Sequence, residues 1–459
     1  MLSKFKQIVN NYRTVVKFCK ENSNKIKSIE EELSNVKGII NNENEVLNSK
    51  IDKIASINND IFNNFRYSNL EFLTLDNTVK KCKVLIVGFY GAPNLGDELM
   101  LQTLLLKLSN FNSNIDVTIM LCENSKFDIT TYPGVKILHY PKSVLDLNVI
   151  SNYFDCVIFG GGALLDDSDF NIYNSQLSLG NILINLSLRM IAFNKKLILY
   201  GLSCSDSIIN PEYILKLDFI IQNCTYISLR DENSKKTLER IGIETNKISI
   251  VNDIVFSNQS LYHTKKLSSS VSEQCNIGIV YICSNIDEMV IFTNKIITSF
   301  KNKYKKVHIS LIPFYQYNNN DKDFYKKLSD KLNYDNISIE KYPRNLDELI
   351  SIFNNCEYVI SMRYHATLVA NSLGKKVLNL KYDTHNHYNN KIDYLYKKYK
   401  FKNYEILYSK LNEPISHNVI DKFVNGKSNE TISDKIYNES NKEIKHVIKL
   451  LTKENNNEN

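Results

Sequence analysis

Two hydrophobic rhythms divide the chain. From Ile26 the apolar residues recur every seven positions, at Ile26, Leu33, Ile40, Leu47, Ile54 and Ile61. Companion positions carry Ile29, Val36, Glu43, Lys50 and Ile57. A seven-residue repeat held over several turns predicts a coiled coil, and polar Glu43 and Lys50 in its seam set register at a cost in stability. Residues 1–75 are therefore expected to form a coiled-coil region that joins copies of the chain. One long helix laid against the rest of the chain is the alternative. Ahead of the repeat, Phe5, Ile8, Val9, Tyr12, Val15, Val16 and Cys19 share a helical stripe flanked by Lys4, Lys6, Arg13, Lys17 and Lys20. That pattern suits a basic membrane-surface helix or, more commonly, the front of the coiled coil or a helix docked on a partner.

Beyond Lys81 the rhythm changes. Short apolar runs predict strands over 84–87, 116–120, 135–138, 155–159, 196–200 and 226–229, with helical periods between them, the longest over 177–193. A polar stretch over 257–274 has the composition of a linker. A second series follows, with strands over 277–282, 306–312, 337–340, 356–360 and 376–380. Helices are predicted over 288–300, 323–332, 346–353 and 368–373, the last stopped by Gly374. Strand–helix alternation predicts parallel sheets covered by helices on both faces. The expected fold is α/β and GT-B-like: two Rossmann-like domains, 81–256 and 275–411, facing a cleft. The tail, 412–459, is polar, with one helix expected over 442–451.

Composition narrows the function little. A hydrophobic fraction of 43% with 23% charged residues is ordinary globular usage. The net charge of +7 is mild for 459 residues. It suits a small anionic substrate or an anionic membrane surface, and without a basic patch interleaved with aromatics it argues against nucleic acid. Nine scattered cysteines without a Cys-x-x-Cys pair read as reduced thiols. No apolar run approaches 18 residues. A cytoplasmic protein is expected, in contact at most with the inner face of a membrane.

The candidate chemistry sits at strand ends. The first strand runs into Gly88-Phe89-Tyr90-Gly91-Ala92-Pro93-Asn94-Leu95-Gly96-Asp97-Glu98, a glycine-rich turn before a helix. It lacks the Gly-x-Gly-x-x-Gly spacing of dinucleotide sites and the Lys-Ser/Thr of a P-loop. Gly160-Gly161-Gly162 follows the strand at 155–159, where absent side chains let a ligand approach the backbone. Arg230 ends the strand at 226–229 and opens Arg230-Asp231-Glu232-Asn233-Ser234. Arg363 and His365 lie at a strand-to-helix junction, Ser361-Met362-Arg363-Tyr364-His365-Ala366. In open α/β sheets ligands bind at such ends, and a helix N-terminus there favours an anion. Asp383, His385 and His387 alternate in a later loop. Three loop ligands without a fourth partner read as solvated rather than as a metal site, so no metal is expected.

These four motifs, in this order, resemble the polysaccharide pyruvyl transferase family over about residues 83–395. The resemblance implies transfer of pyruvate from phosphoenolpyruvate to a sugar of a cell-surface polysaccharide or glycan precursor, forming a ketal and releasing phosphate, with no cofactor. By the same resemblance His365 is the candidate general acid/base or a phosphate ligand. Arg363 works beside it, and Arg230 approaches the donor from the other domain. Gly88, Gly91, Asn94, Gly96, Asp97, Gly160, Gly161 and Gly162 would line the donor or acceptor side. Two departures stand out. Gly201-Leu202-Ser203-Cys204-Ser205-Asp206 replaces a more glycine-rich stretch, and His385 stands where many members carry Lys. The lost cation would weaken donor binding, or His385 would replace it when protonated. A GT-B glycosyltransferase using a nucleotide sugar, its diphosphate held by Arg230 and Arg363, is the alternative, and a catalytically dead scaffold is a third.

Overall fold

The computed structural model describes residues 81–109, 114–122, 125, 129–170, 177–262, 273–316, 320–383 and 387–452. The coiled coil expected over 1–75 and the basic helix at 2–20 lie outside them.

The first sheet is built from β1 (Cys82–Val87), β2 (Ile115–Leu121), β3 (Lys136–His139), β4 (Cys156–Leu165), β5 (Lys196–Cys204), β6 (Tyr226–Leu229) and β7 (Ser249–Ile250). Every pairing is parallel, in the order β3-β2-β1-β4-β5-β6-β7. Its helices are α1 (Leu95–Ser109), α2 (Asp146–Tyr153), α3 (Leu179–Ala192), α4 (Pro211–Asn223) and α5 (Glu232–Arg240). Central strands are apolar throughout because both faces are covered; Val84 to Val87 are fully buried. The helices start where the sequence supplies caps. Ser178 accepts from the Asn181 N–H, Asn210 precedes Pro211, and Asp231 accepts from the Ser234 N–H.

The second sheet holds β8 (Gln274–Val280), β9 (Lys306–Leu311), β10 (Ile337–Ile339), β11 (Tyr358–Ser361), β12 (Lys376–Lys381) and β13 (Tyr404–Leu407). It is also wholly parallel, in the order β10-β9-β8-β11-β12-β13. Around it lie α6 (Ile286–Lys301), α7 (Asp321–Leu332), α8 (Leu346–Asn354), α9 (Tyr364–Ser372) and α10 (His387–Tyr399). In both sheets the strand order reverses beside the first strand. That reversal opens the crevice where doubly wound sheets hold ligands. The expected α/β fold of two Rossmann-like sheets is the observed one.

Three expectations change. β4 does not stop at 159; it runs through Gly160-Gly161-Gly162 to Leu165, with a register shift after Gly162. Gly161 and Gly162 take φ of 72° and 91° inside the strand, a bulge that glycine tolerates. Next, α9 begins at Tyr364, so His365 belongs to its first turn rather than to a loop before it. The described part of the tail holds two helices, α11 (Pro414–Asn425) and α12 (Asp434–Thr452). Ile444, Val447, Ile448 and Leu451 of α12 are buried in the hydrophobic core that contains β1 and α1. The chain therefore returns to the first sheet after completing the second.

The described residues belong to one compact unit. The backbone joins the two sheets through a bridge between Asn94 and Tyr315, flanked by Leu95 N–H to Phe314 O at 2.9 Å and Gln316 N–H to Pro93 O at 3.0 Å. One apolar core runs from Leu95, Leu99 and Leu101 of α1 to Leu346, Leu349 and Ile350 of α8 and Leu368 and Val369 of α9. Among the described residues no helix is long and apolar enough to cross a membrane. No disulfide joins the eight described cysteines.

Candidate active site

A cleft of about 470 Å³ opens between the two sheets. Asn94, Gly96, Asp97, Arg230, Arg363 and His365 all line it. The topology explains why. Arg230 follows β6, Asn94 to Asp97 open α1 after β1, and Arg363 and His365 link β11 to α9. Each is a carboxyl-end position of a parallel strand.

The arginines are not free. Arg230 is 5% exposed. Its Nε donates to Ser203 Oγ at 2.6 Å and its Nη1 to Asp253 Oδ2 at 2.9 Å, while its guanidinium lies 4.8 Å from the centre of the Tyr364 ring. Asp253, 2% exposed, follows β7 and caps the turn after it by accepting the Val255 N–H at 3.1 Å. Arg363 Nη2 donates to Asp321 Oδ1 at 2.8 Å. Asp321 is fully buried, and its other oxygen accepts the Phe314 and Tyr315 N–H groups, both at 2.8 Å. Burial raises the Asp321 carboxyl above its ordinary value despite Arg363 beside it.

His365 ties the two halves together. Its Nε2 stands 3.5 Å from Asp253 Oδ2, an ion-pair distance too long for a good hydrogen bond. The nitrogen is buried and makes no hydrogen bond among the described residues. Arg363 Nε is in the same condition. Burial alone would raise the Asp253 carboxyl, but the His365 ring, Arg230 and the Val255 N–H hold it well below its ordinary value. Asp253 therefore carries a charge shared between an arginine of one half and a histidine of the other. The opposite face of the imidazole rests on α1: a Cβ built on Gly96 would fall 2.2 Å from His365 Nδ1. Gly96 is required there because no side chain fits between helix and ring.

A family model described as polysaccharide pyruvyl transferase matches residues 94–384. The chain belongs to the polysaccharide pyruvyl transferase family. It is a transferase, and the family's activity is pyruvyl transfer to polysaccharide, so its acceptor is a glycan. No curated protein matches the sequence. Among solved structures, the chain is similar to a putative UDP-N-acetylglucosamine 2-epimerase from Listeria monocytogenes, with 12% identity, 80% of this chain and 96% of that one covered, and a TM-score of 0.49. It is also similar to the UDP-GlcNAc 2-epimerases of Methanocaldococcus jannaschii, at 14% identity over 80% and 99% with a TM-score of 0.49, and of Neisseria meningitidis, at 14% over 80% and 100% with a TM-score of 0.47.

The transferase's other expected site residues are placed differently. Gly88, Gly91, Gly160, Gly161 and Gly162 do not line the cleft; they let elements close up behind it. The Gly88 carbonyl accepts from the Tyr140 hydroxyl at 2.7 Å, and a Cβ there would strike the Tyr90 ring. Gly91, at φ 81°, packs on Ser125 and Leu121. The Gly160 carbonyl accepts from the Tyr90 hydroxyl. A Cβ on Gly161 would sit 2.7 Å from Met100 Sδ, and one on Gly162 3.3 Å from Asp97 Oδ1. The triplet therefore brings α1, and Asp97 with it, down onto β4. His385 lies outside the described residues. Among the described residues no cluster of three His, Cys, Asp or Glu suited to a metal occurs.

Several cleft residues went unnoticed in the sequence. Asp253 and Asp321 hold the arginines, Asp166 and Asp169 line the wall formed beyond β4, and Lys391 of α10 lines the opposite side. Asp97, hydrogen-bonded by Asn94 Nδ2 at 2.5 Å, is raised by burial, an effect that His365, Arg230 and Lys391 oppose. Beside it Glu98 is 7% exposed. Burial first, then the Asp97 carboxylate, raise its carboxyl from 4.5 to about 7. Between those values the folded chain keeps a proton that the unfolded chain has released. Its stabilising contribution is full below 4.5 and is lost as pH rises through 7. Glu98→Gln should therefore reduce the loss of stability between pH 5 and pH 8 by up to roughly 3 kcal/mol, read by calorimetric unfolding at both values. Identical pH profiles for variant and wild type would refute the assignment.

Proposed function

We propose that the cleft takes phosphoenolpyruvate as donor and places its pyruvyl carbon on two hydroxyls of one sugar, as a ketal. The observation that supports this most directly is the pair of buried, unbonded nitrogens, Arg363 Nε and His365 Nε2, at the start of α9. Buried donors of this kind are costly unless a ligand satisfies them. The N-terminus of α9 has no side-chain cap and adds its own preference for an anion. The planar donor carboxylate matches the fork of Arg363, which Asp321 holds from behind.

The chemistry balances within such a site. Two C–O bonds form at C2 of the donor, and the bond from C2 to the phosphate oxygen breaks. The acceptor hydroxyls release two protons. One ends on C3, which becomes a methyl group, and the other leaves with phosphate. His365 is the group placed to take the hydroxyl proton and return it to C3, since imidazole exchanges protons readily near neutral pH. Asp253 is its positioning residue. Asp97, Asp166 and Asp169 line the wall that remains for sugar hydroxyls.

The test is release of orthophosphate from phosphoenolpyruvate in the presence of glycan acceptors, with the ketal methyl group detected by NMR in the product. Stoichiometric phosphate and ketal would support the reading. Turnover of a nucleotide sugar with no phosphoenolpyruvate consumption would overturn it.

A further inference from the structure

The arginines of the cleft are each committed to a buried carboxylate, Arg230 to Asp253 and Arg363 to Asp321. Lys391 is not. It is 8% exposed, lines the cleft, and forms no hydrogen bond or ion pair among the described residues. A buried ammonium without a partner is among the most expensive groups a protein can hold. Its position is nonetheless enforced. Asn389, two residues into α10, exchanges bonds with the Tyr382 backbone: its Oδ1 accepts the Tyr382 N–H at 3.1 Å and its Nδ2 donates to the Tyr382 carbonyl at 2.8 Å. Asn390 reaches the other half of the molecule, donating from Nδ2 to Asp206 Oδ2 at 2.5 Å, while its carbonyl accepts from Asn233 Nδ2 at 3.1 Å. The first turn of α10 is thus pinned on both sides of the cleft, and Lys391, the residue that follows the two pins, lines it.

We propose that Lys391 receives the phosphate group of the donor, leaving the carboxylate to Arg363. This assignment rests on the donor reading above. A lysine is a compact point charge with three rotatable donors that binds phosphate well, and unlike Arg230 and Arg363 it is not already ion-paired to a buried carboxylate among the described residues. The charges facing Lys391 fit that role. Burial, followed by Arg230, pushes its ammonium well below its ordinary value, opposed by the carboxylates of Asp231, Asp97 and Asp253. A dianion placed beside it favours the charged form, so binding shifts the amine toward protonation. The same cation then stabilises the phosphate as it leaves.

The experiment uses the full chain. Wild type, Lys391→Met and Lys391→Arg are titrated calorimetrically with orthophosphate and, separately, with pyruvate, in two buffers of different ionisation enthalpy. Loss of one charge-assisted hydrogen bond should weaken orthophosphate binding by about tenfold or more in Lys391→Met, with Lys391→Arg within about threefold of wild type. Pyruvate binding should be unchanged, and the proton uptake seen with orthophosphate in wild type should vanish in the Met variant. Because a buried amine that forms no hydrogen bond or ion pair among the described residues is replaced by an apolar side chain, the unfolding temperature of Lys391→Met should equal or exceed that of wild type, whereas a lysine with a structural role would lower it. Orthophosphate binding in Lys391→Met equal to wild type would overturn the proposal, as would equal loss of pyruvate binding or no binding of orthophosphate to the wild type. If the wild type binds orthophosphate through Lys391 but does not consume phosphoenolpyruvate, the donor reading fails and the phosphate site stands.

Discussion

Asp253→Ala should both destabilise the protein and inactivate it. The carboxylate lies at the meeting point of the two halves, 2.9 Å from Arg230 Nη1 and 3.5 Å from His365 Nε2, and it is almost wholly buried. Removing it leaves the Arg230 guanidinium in the interior, with Ser203 Oγ as its remaining oxygen acceptor. Breaking a buried pair by deleting one member costs about 3–5 kcal/mol, because the surviving charge is uncompensated. Against a total stability of about 5–15 kcal/mol, that is a large share. Calorimetry should show a fall in Tm of several degrees. Asp253→Asn should recover part of the stability by offering Arg230 an amide oxygen, but it removes the charge that faces His365, so turnover should remain low. The split between the two variants separates folding from positioning. An Asp253→Ala protein with the Tm and turnover of wild type would show that the charge belongs to neither.

That aspartate also marks where the sequence stops being readable. Strand positions and parallel topology could be read directly, because fully buried strands must be short apolar runs and the helices between them carry caps such as Ser178 and Asp231. Arg363, His365 and Arg230 could be read because they end such strands. Asp253 follows a two-residue strand within Val251-Asn252-Asp253-Ile254, where an aspartate looks like any turn residue. Asp321 follows an asparagine run, Asn318-Asn319-Asn320, and reads as an ordinary helix start. Lys391 lies in Tyr388-Asn389-Asn390-Lys391, whose polar composition conceals both a helix and a buried charge. Only its neighbours across the cleft reveal it. The glycine triplet misled in the opposite direction. Three glycines after an apolar run resemble a ligand loop, but here they let Leu104, Met100 and Asp97 approach the strand. Glycine signals that something comes close; it does not say whether that is a ligand or another helix.

His365→Ala should abolish ketal formation while leaving the fold intact. Among the described residues the ring's Nε2 makes no hydrogen bond, so its loss leaves no new unsatisfied partner there apart from a weakened neighbour for Asp253. General acid/base residues contribute about 10²- to 10⁴-fold, and phosphate release from phosphoenolpyruvate should fall by that order with little change in Tm. Gly96→Ala offers an independent route to the same group. The new methyl would sit 2.2 Å from Nδ1, 3.0 Å from Cγ and 3.1 Å from Cε1 of the imidazole. One of the two must move. Helix α1 is fixed by the core and by the Leu95–Phe314 backbone bond, so the ring yields. Turnover should drop although no reacting group has been removed, since a displacement of about 1 Å at a catalytic group can cost on the order of 100-fold. The decisive measurement is the double variant. If the methyl acts through the imidazole, adding Gly96→Ala to His365→Ala should cause no further loss, because the ring it would displace is already gone. Additive losses would mean that Gly96 serves the substrate directly, and His365 would then have to be reconsidered as the residue that moves the proton.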